Sequence, residues 1–166
     1  MPGPGEVHVR LDACAICHSD ITYMDGDWGG ELPAVYGHEA AGIVQGIGED
    51  VKGLRCGVPV VVTLLRSCGD CFFCRQRQES LCETRFPLDE SSPITDQQGI
   101  PIGHGLRTGA FAEEVVVHSS QVVEIPPDLP MDSAALLSCG VITGVGAVKN
   151  VAAVPAGASV VTIGMG

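Results

Sequence analysis

The segment Cys68-x2-Cys71-x2-Cys74-x7-Cys82 has the spacing that most directly implies chemistry. Two residues between cysteines let both thiolates face one ion at ~2.3 Å. Four thiolates close together, with no histidine among them, complete a tetrahedral shell and leave no open position, so such a site is structural rather than catalytic. The segment has few core-forming residues, and a metal would replace the core it lacks. Close CxxCxxC runs also hold iron–sulfur clusters, and four unligated thiols are the plain alternative. The spacing favours zinc.

A second, dispersed set is Cys17, His38 and Cys139. Taken singly, each has an ordinary explanation: a cysteine after a strand is commonly a small buried residue, a histidine beside Glu39 is commonly a surface pair, and Cys139 before Gly140 suits helix packing. Their surroundings argue for more. Gly37-His38-Glu39 follows Leu32-Pro33-Ala34-Val35-Tyr36, which puts His38 on a turn just before a strand. Cys17-His18-Ser19-Asp20 puts a hydroxyl and a carboxylate beside a thiol at a strand end. Cys14-x2-Cys17 imitates a redox pair, but Cys17 has the better-supported use as a ligand. Cys14 and Cys56 read as packing or surface thiols.

The elements that must position these groups are mostly strands. The chain has 166 residues, with 22 glycines and 11 prolines, which suits many short strands and turns. Aromatics are only 4%, so Val, Ile, Leu and Ala must fill the core. Glu6–Ala13 alternates, with Val7, Val9, Leu11 and Ala13 on one face, as in a half-buried strand. It runs into Cys14–Asp20, where Ser19 or Asp20 would cap a short helix. Ala40–Ile47, Val58–Leu65, Ala110–His118 and Gln121–Ile125 read as further strands, the second of them buried. Glu83–Arg107 has no sustained period, and a stretch of that kind inside a compact domain is usually functional or mobile. Asp132 would cap a helix through Leu137, and a second helix is expected over Thr143–Ala152. Ala158–Ile163 reads as a buried strand before Gly164-Met165-Gly166. Many strands followed by helix, turn and strand imply a mainly β domain and then the opening of an α/β one.

Taken together, Gly37-His38-Glu39-Ala40-Ala41-Gly42 with Gly48 and Val51, Cys17-His18-Ser19-Asp20, the four-cysteine loop, and Leu136-Leu137-Ser138-Cys139-Gly140-Val141-Ile142-Thr143-Gly144 resemble, in order and interval, the zinc-containing medium-chain alcohol dehydrogenases. The resemblance runs from about Gly5 to Gly166, and its nearest subgroup is class III-like, which includes S-(hydroxymethyl)glutathione dehydrogenases. It implies a GroES-like β-barrel catalytic domain over 1–140, carrying the four-cysteine zinc loop. Residues 141–166 would then be the truncated start of a Rossmann NAD(P)-binding domain. It implies two zinc ions per chain, a catalytic one on Cys17, His38 and Cys139 and a structural one on Cys68, Cys71, Cys74 and Cys82; two cysteines and one histidine are a known catalytic zinc arrangement. The zinc would act as a Lewis acid on the alcohol, Ser19 would pass the proton outward, and hydride would go to NAD or NADP. Asp20 matches a carboxylate that orients the zinc-binding histidine, and Glu39 an acid close behind the zinc. His18 would contact the cofactor pyrophosphate and Thr143 would lie beside the nicotinamide. Gly164 and Gly166 would open the Gly-x-Gly turn. Trp28 and Phe111 would line the substrate pocket.

The chain also departs from the family. Many members have histidine where Thr22 stands, so the proton relay would be shorter or pass through water. Gly57-Val58-Pro59 replaces a common Gly-Asp turn and puts Pro59 at a strand entry. The usual first strand pair precedes Gly5 in the family, so Met1 reads as a truncated start. The formal charge is −11 with no basic cluster, which argues against nucleic acid and anionic membranes as partners. The longest apolar runs are far below the ~20 residues of a membrane span. With no signal-like N-terminus, reduced thiols and a cytoplasmic location are expected. The partners implied are a small alcohol or aldehyde and, at full length, a second copy in a homo-oligomer. Two alternatives stand beside this reading: a polyol dehydrogenase of the same superfamily, against which Cys139 argues, and a non-catalytic, metal-stabilised GroES-like module, which would not need the second ligand set.

Overall fold

The computed structural model describes residues 1–30 and 32–164. Its framework is one antiparallel sheet. Strand β1 (Glu6–Ala15) pairs with β3 (Glu39–Ile47) on one side and with β6 (Glu114–His118) on the other. Strand β4 (Pro59–Val62) pairs with β3, and β7 (Val122–Glu124) with β4, giving the order β6-β1-β3-β4-β7.

The chain order forces this sheet to curl. β6 and β7 are its two edges, yet they are consecutive and joined by a single 3-10 turn, Ser119–Gln121. Flat, the edges would lie roughly 19 Å apart at ~4.8 Å per strand. The four Cα steps from His118 to Val122 reach at most about 14 Å. The sheet therefore rolls towards a barrel, with its concave face closed on β-branched side chains. Val7, Val9, Ala40, Val44, Val60, Val62, Val115, Val117 and Val122 form that core. The outer face of β3 and β4 is buried too. Ala41, Val61 and Ile125 pack with Ala134 and Ala135 of helix α4 (Met131–Ala135). Burial on both faces is why Val60, Val61 and Val62 run as an uninterrupted apolar string.

Several sequence expectations shift in the structure. Helix α1 (His18–Met24) is capped by Cys17, with Asp20 inside its first turn, so neither Ser19 nor Asp20 is the cap. Likewise Pro130, not Asp132, precedes α4. β6 begins at Glu114, because residues 110–113 bend away after Ala110 and Phe111 donate to the carbonyls of Gly37 and Tyr36. Helix α5 (Gly140–Gly146) starts three residues before the expected Thr143 and passes into a π turn, Ala147–Val151. Ala158–Ile163 forms no strand, and Val160, Val161 and Ile163 are exposed. An extended segment needs a neighbour for its backbone donors and acceptors, and no described strand pairs with this one. Among the described residues, no single helix is long and apolar enough to cross a membrane.

The aperiodic stretch Glu83–Arg107 is ordered by polar contacts. It contains helix α3 (Pro87–Glu90) and strand β5 (Gly103–His104), which pairs in parallel with β2 (Ala34–Val35). Its hub is Asp89. One carboxylate oxygen pairs with Arg66, the other accepts the Phe86 N–H at 2.9 Å, and Arg107 Nε stands 3.9 Å away. The Arg66 side chain is fully buried, with its guanidinium 4.6 Å from the centre of the Phe86 ring. Burial lowers the Arg66 pKa, and Asp89 opposes that shift. Asp89→Ala leaves a buried, unpaired cation and is expected to destabilise the protein by about 3–5 kcal/mol, whereas Arg66→Met, which removes the charge and keeps the volume, should cost little or stabilise it. Urea titration of the two variants checks this; a smaller loss from Asp89→Ala than from Arg66→Met would refute the account.

Candidate metal centres

The four-cysteine segment forms a lobe between β4 and α3. Cys71 caps helix α2 (Phe72–Arg75), which carries Cys74 inward, and Cys82 returns after a 3-10 turn at Glu79–Leu81. All four Sγ atoms lie within 4.8 Å of one another. Cys68 and Cys74 Sγ are 4.0 Å apart, and Cys71 and Cys82 Sγ are 3.9 Å apart. A tetrahedron of sulfurs ~2.3 Å from a central zinc has edges of about 3.8 Å, so the lobe fits one zinc ion. A cluster with its own bridging sulfides would spread the thiolates further.

The backbone of this lobe prepares for negative charge. The Thr84 hydroxyl and the N–H groups of Asp70 and Cys71 hold the Cys68 thiol down at about 6. The N–H groups of Cys74 and Glu83 lower Cys71. Cys74 lies deeper, and burial pushes it up to about 12. A metal would overcome that cost directly, since a coordinating thiol is deprotonated by the ion.

The dispersed set also converges. Ligand atoms of Cys17, His38, Glu39 and Cys139 lie within 4.8 Å of one another. Asp20 organises two of the three segments, those of Cys17 and His38. It is completely buried, yet satisfied. One oxygen accepts the Cys17 N–H at 2.9 Å; the other accepts the Gly37 N–H at 3.1 Å and faces His38 Nδ1 at 3.3 Å. Nδ1 is thereby engaged, leaving Nε2 as the free donor atom, the arrangement in which a carboxylate orients a metal-binding histidine. Glu39, also buried, takes the Gly140 N–H at 3.4 Å. Burial raises the Cys139 thiol to about 11, with the charges of Glu39 and Cys17 adding to it. A dication bound there would reverse the cost of ionising Cys139.

The structure brings together Cys17, Ser19, Asp20, His38, Glu39 and Cys139. Ser19 Oγ is 3.7 Å from Cys17 Sγ, at the edge of the set. Thr143 stands one turn after Cys139, and its hydroxyl is within reach of that thiol. His18 is exposed at the start of α1. The Thr22 hydroxyl donates to the His18 carbonyl at 3.0 Å, so its proton is used within the helix. Trp28 packs edge-on against Tyr23, which stacks on Tyr36, while Phe111 lies over Gly37. Tyr36 and Phe111 thus flank the turn before His38, with Tyr23 and Trp28 packed beyond Tyr36. Gly164 has φ +83° and no close neighbour, and Gly166 lies outside the described residues. Cys14 packs against the core, where burial raises its thiol to about 11, and Cys56 is exposed.

Two buried-network residues beside the Cys139 segment were not singled out in the sequence: Thr63, whose hydroxyl donates to the Ser138 carbonyl, and Gln121, which bonds Thr63 in turn. An isolated threonine at a strand end and a glutamine after Ser-Ser carry no motif, and their partners are distant in the chain.

Residues 3–127 match the family described as Alcohol dehydrogenase GroES-like domain. Over 99% of the chain, it is 38% identical to Alcohol dehydrogenase-like 7 of Arabidopsis thaliana, covering 45% of that protein. It is likewise 38% identical to Alcohol dehydrogenase class-3 of Pisum sativum, covering 46% of it. The crystal structure of an alcohol dehydrogenase zinc-binding domain protein from Burkholderia ambifaria superposes with a TM-score of 0.86 at 34% identity, over 95% of this chain and 45% of that one. The chain thus spans a little under half the length of these relatives.

Proposed function

Because the chain belongs to the zinc-containing medium-chain alcohol dehydrogenases, of which it carries the GroES-like domain, we propose that it forms the zinc-bearing half of an enzyme that moves hydride between an alcohol or aldehyde and NAD or NADP. The observation that carries this reading is the convergence of Cys17, His38 and Cys139 around a histidine ordered by buried Asp20. A purely structural module needs the four-cysteine lobe and has no use for this second set.

When bound, zinc on Cys17, His38 and Cys139 supplies Lewis acidity to an alcohol oxygen. The chain's own residues do the rest. Asp20 fixes His38 and the Cys17 turn together, so two ligands share one anchor. Ser19, whose hydroxyl lies 3.7 Å from Cys17 Sγ, would carry the alcohol proton away. Glu39 sits within ligand reach and is tethered to the Gly140 N–H, so it can balance charge at the metal. Phe111, against Gly37, and Trp28, packed on Tyr23, would offer apolar surface to the carbon part of an alcohol. His18 and Thr143 are the groups of this half that would meet the cofactor. Residues 1–140 form the catalytic domain in this reading, and 141–166 open the dinucleotide-binding one. We take the subgroup to be class III-like, the class-3 relative standing among several classes at similar identity; a preference for S-(hydroxymethyl)glutathione over ethanol in the complete enzyme tests it.

Metal analysis tests the core of the reading. The reduced, folded chain should hold two zinc ions, and Cys17→Ser should hold one. A single zinc in the unaltered protein would remove the catalytic site from the account, and none would remove both.

A further inference from the structure

We propose that Thr63 and Gln121 form a buried polar clamp that positions two of the three ligand-bearing segments of the Cys17/His38/Cys139 set; the proposal rests on the reading of that set as a metal site. Gln121 is completely buried and uses its whole amide. Its Nε2 donates to the Thr63 carbonyl at 2.9 Å and to the Arg107 carbonyl at 3.0 Å, and its Oε1 accepts the His118 N–H at 3.3 Å. The backbone closes the same link, because the Thr63 N–H donates to the Gln121 carbonyl at 2.9 Å. The Thr63 hydroxyl, in turn, donates to the Ser138 carbonyl at 2.9 Å.

One end of this chain of bonds reaches the residue before Cys139, and the other reaches the segment that packs on the turn before His38. Ser138 is the residue before Cys139 and is itself buried, its hydroxyl donating to the Ala135 carbonyl at 2.7 Å. Thr63 therefore holds the peptide that leads into one thiolate. Arg107 lies in the segment that braces the approach to His38. There β5 pairs with β2, the Gly103 N–H donates to the Pro33 carbonyl, and the N–H groups of Ala110 and Phe111 donate to the carbonyls of Gly37 and Tyr36 at 2.9 and 2.8 Å. Leu106 and Arg107 both have positive φ, at +52° and +61°. Two successive non-glycine residues in that region are held against their local preference, and the bond from Gln121 to the Arg107 carbonyl is one of the contacts that hold them. A fully satisfied buried network of this kind rigidifies what it joins. Neither residue touches a ligand atom of the set, so both act by positioning.

The test uses the 166-residue chain and zinc, with chelator competition for affinity and cobalt(II) substitution for the absorption of each site. Thr63→Val keeps the shape and removes the hydroxyl; Thr63→Ser restores it. Gln121→Leu removes both amide donors. Partners that orient ligands typically contribute ~10–100-fold in metal affinity. Thr63→Val should weaken zinc binding at the Cys17/His38/Cys139 set at least about tenfold, leave the zinc of the four-cysteine lobe unchanged and alter the cobalt spectrum of the Cys17/His38/Cys139 set, with Thr63→Ser close to the unaltered protein. Gln121→Leu should do the same more strongly. Unchanged affinity at both sites overturns the proposal, as does an equal loss at both, which would make the pair merely structural. If Gln121→Leu fails to fold, the Val and Ser variants at Thr63 still decide. If the unaltered chain itself binds one zinc, it is the metal reading that fails, a result distinct from either.

Discussion

Cys71→Ser is expected to lower the melting temperature and open the Arg66–Arg85 lobe to proteases, while Cys17→Ser should lose one zinc and keep most of the stability. The lobe has little else to hold it. Of its side chains only Arg66 and Cys74 are buried, and Phe72 and Leu81 are exposed. Binding of structural zinc in small modules is linked to ~10–16 kcal/mol of apparent free energy, so loss of one of four thiolates removes most of the lobe's order. Unravelling should stop at its base, where Arg66 pairs with Asp89 and the Ser67 N–H donates to Ser120 Oγ at 2.9 Å. Cys17, by contrast, follows β1, which is paired on both sides and buries Val7 and Val9 completely. Its turn is held by Asp20 through the backbone N–H, which a serine retains. In the complete enzyme Cys17→Ser should nonetheless abolish turnover. Melting temperature read beside zinc stoichiometry separates the two roles. Equal destabilisation, or a larger loss from Cys17→Ser, would mean that the roles are assigned the wrong way round.

Gly37→Ala should cost the protein its second zinc and several kcal/mol of stability, although glycine carries no chemistry. Gly37 has φ +91°, and a Cβ there would lie 2.6 Å from the Phe111 nitrogen and 2.8 Å from its ring. Left-handed backbone alone costs an L-residue roughly 1–2 kcal/mol, and a backbone overlap must be relieved by movement. That movement must displace the turn into His38 and strain the bonds that hold it, from the Gly37 N–H to Asp20 and from the Ala110 N–H to the Gly37 carbonyl. Movement breaks the alignment of Asp20 with His38 that fixes the metal-binding nitrogen. The check is zinc content and urea stability of Gly37→Ala against Gly53→Ala. Gly53 also has positive φ but nothing near its Cβ, so its variant carries the backbone cost alone. Two zinc ions in Gly37→Ala would show that the turn tolerates displacement.

What could be read from the sequence was local. The four-cysteine lobe lies within a fifteen-residue stretch, from Cys68 to Cys82, so spacing sets its geometry before any folding. The strands β1, β3, β4 and β7 were legible because burial imposes a period of two, or an unbroken apolar run, on neighbouring residues. The second set was legible only through resemblance, since Cys17, His38 and Cys139 come from three distant segments and no local rule joins them. Where a pattern depended on a partner, it misled: Ala158–Ile163 has the composition of a buried strand and stays exposed, because composition does not supply a neighbouring strand.

The tertiary structure decided how the ligands are held. Asp20 could be seen beside Cys17, but its second bond, to Gly37, and its approach to His38 depend on α1 lying against the turn before β3. Thr63 and Gln121 are ordinary polar residues until the curled sheet brings the β6–β7 turn beside the end of β4. Arg66 and Asp89 become a pair only because the zinc lobe returns the chain to its starting point. The physical reason is common to all three. Chemical identity and short spacing are properties of the chain, whereas a buried hydrogen bond is a property of two surfaces that meet only when the core closes, and the sequence carries no local sign of which polar groups will then face each other.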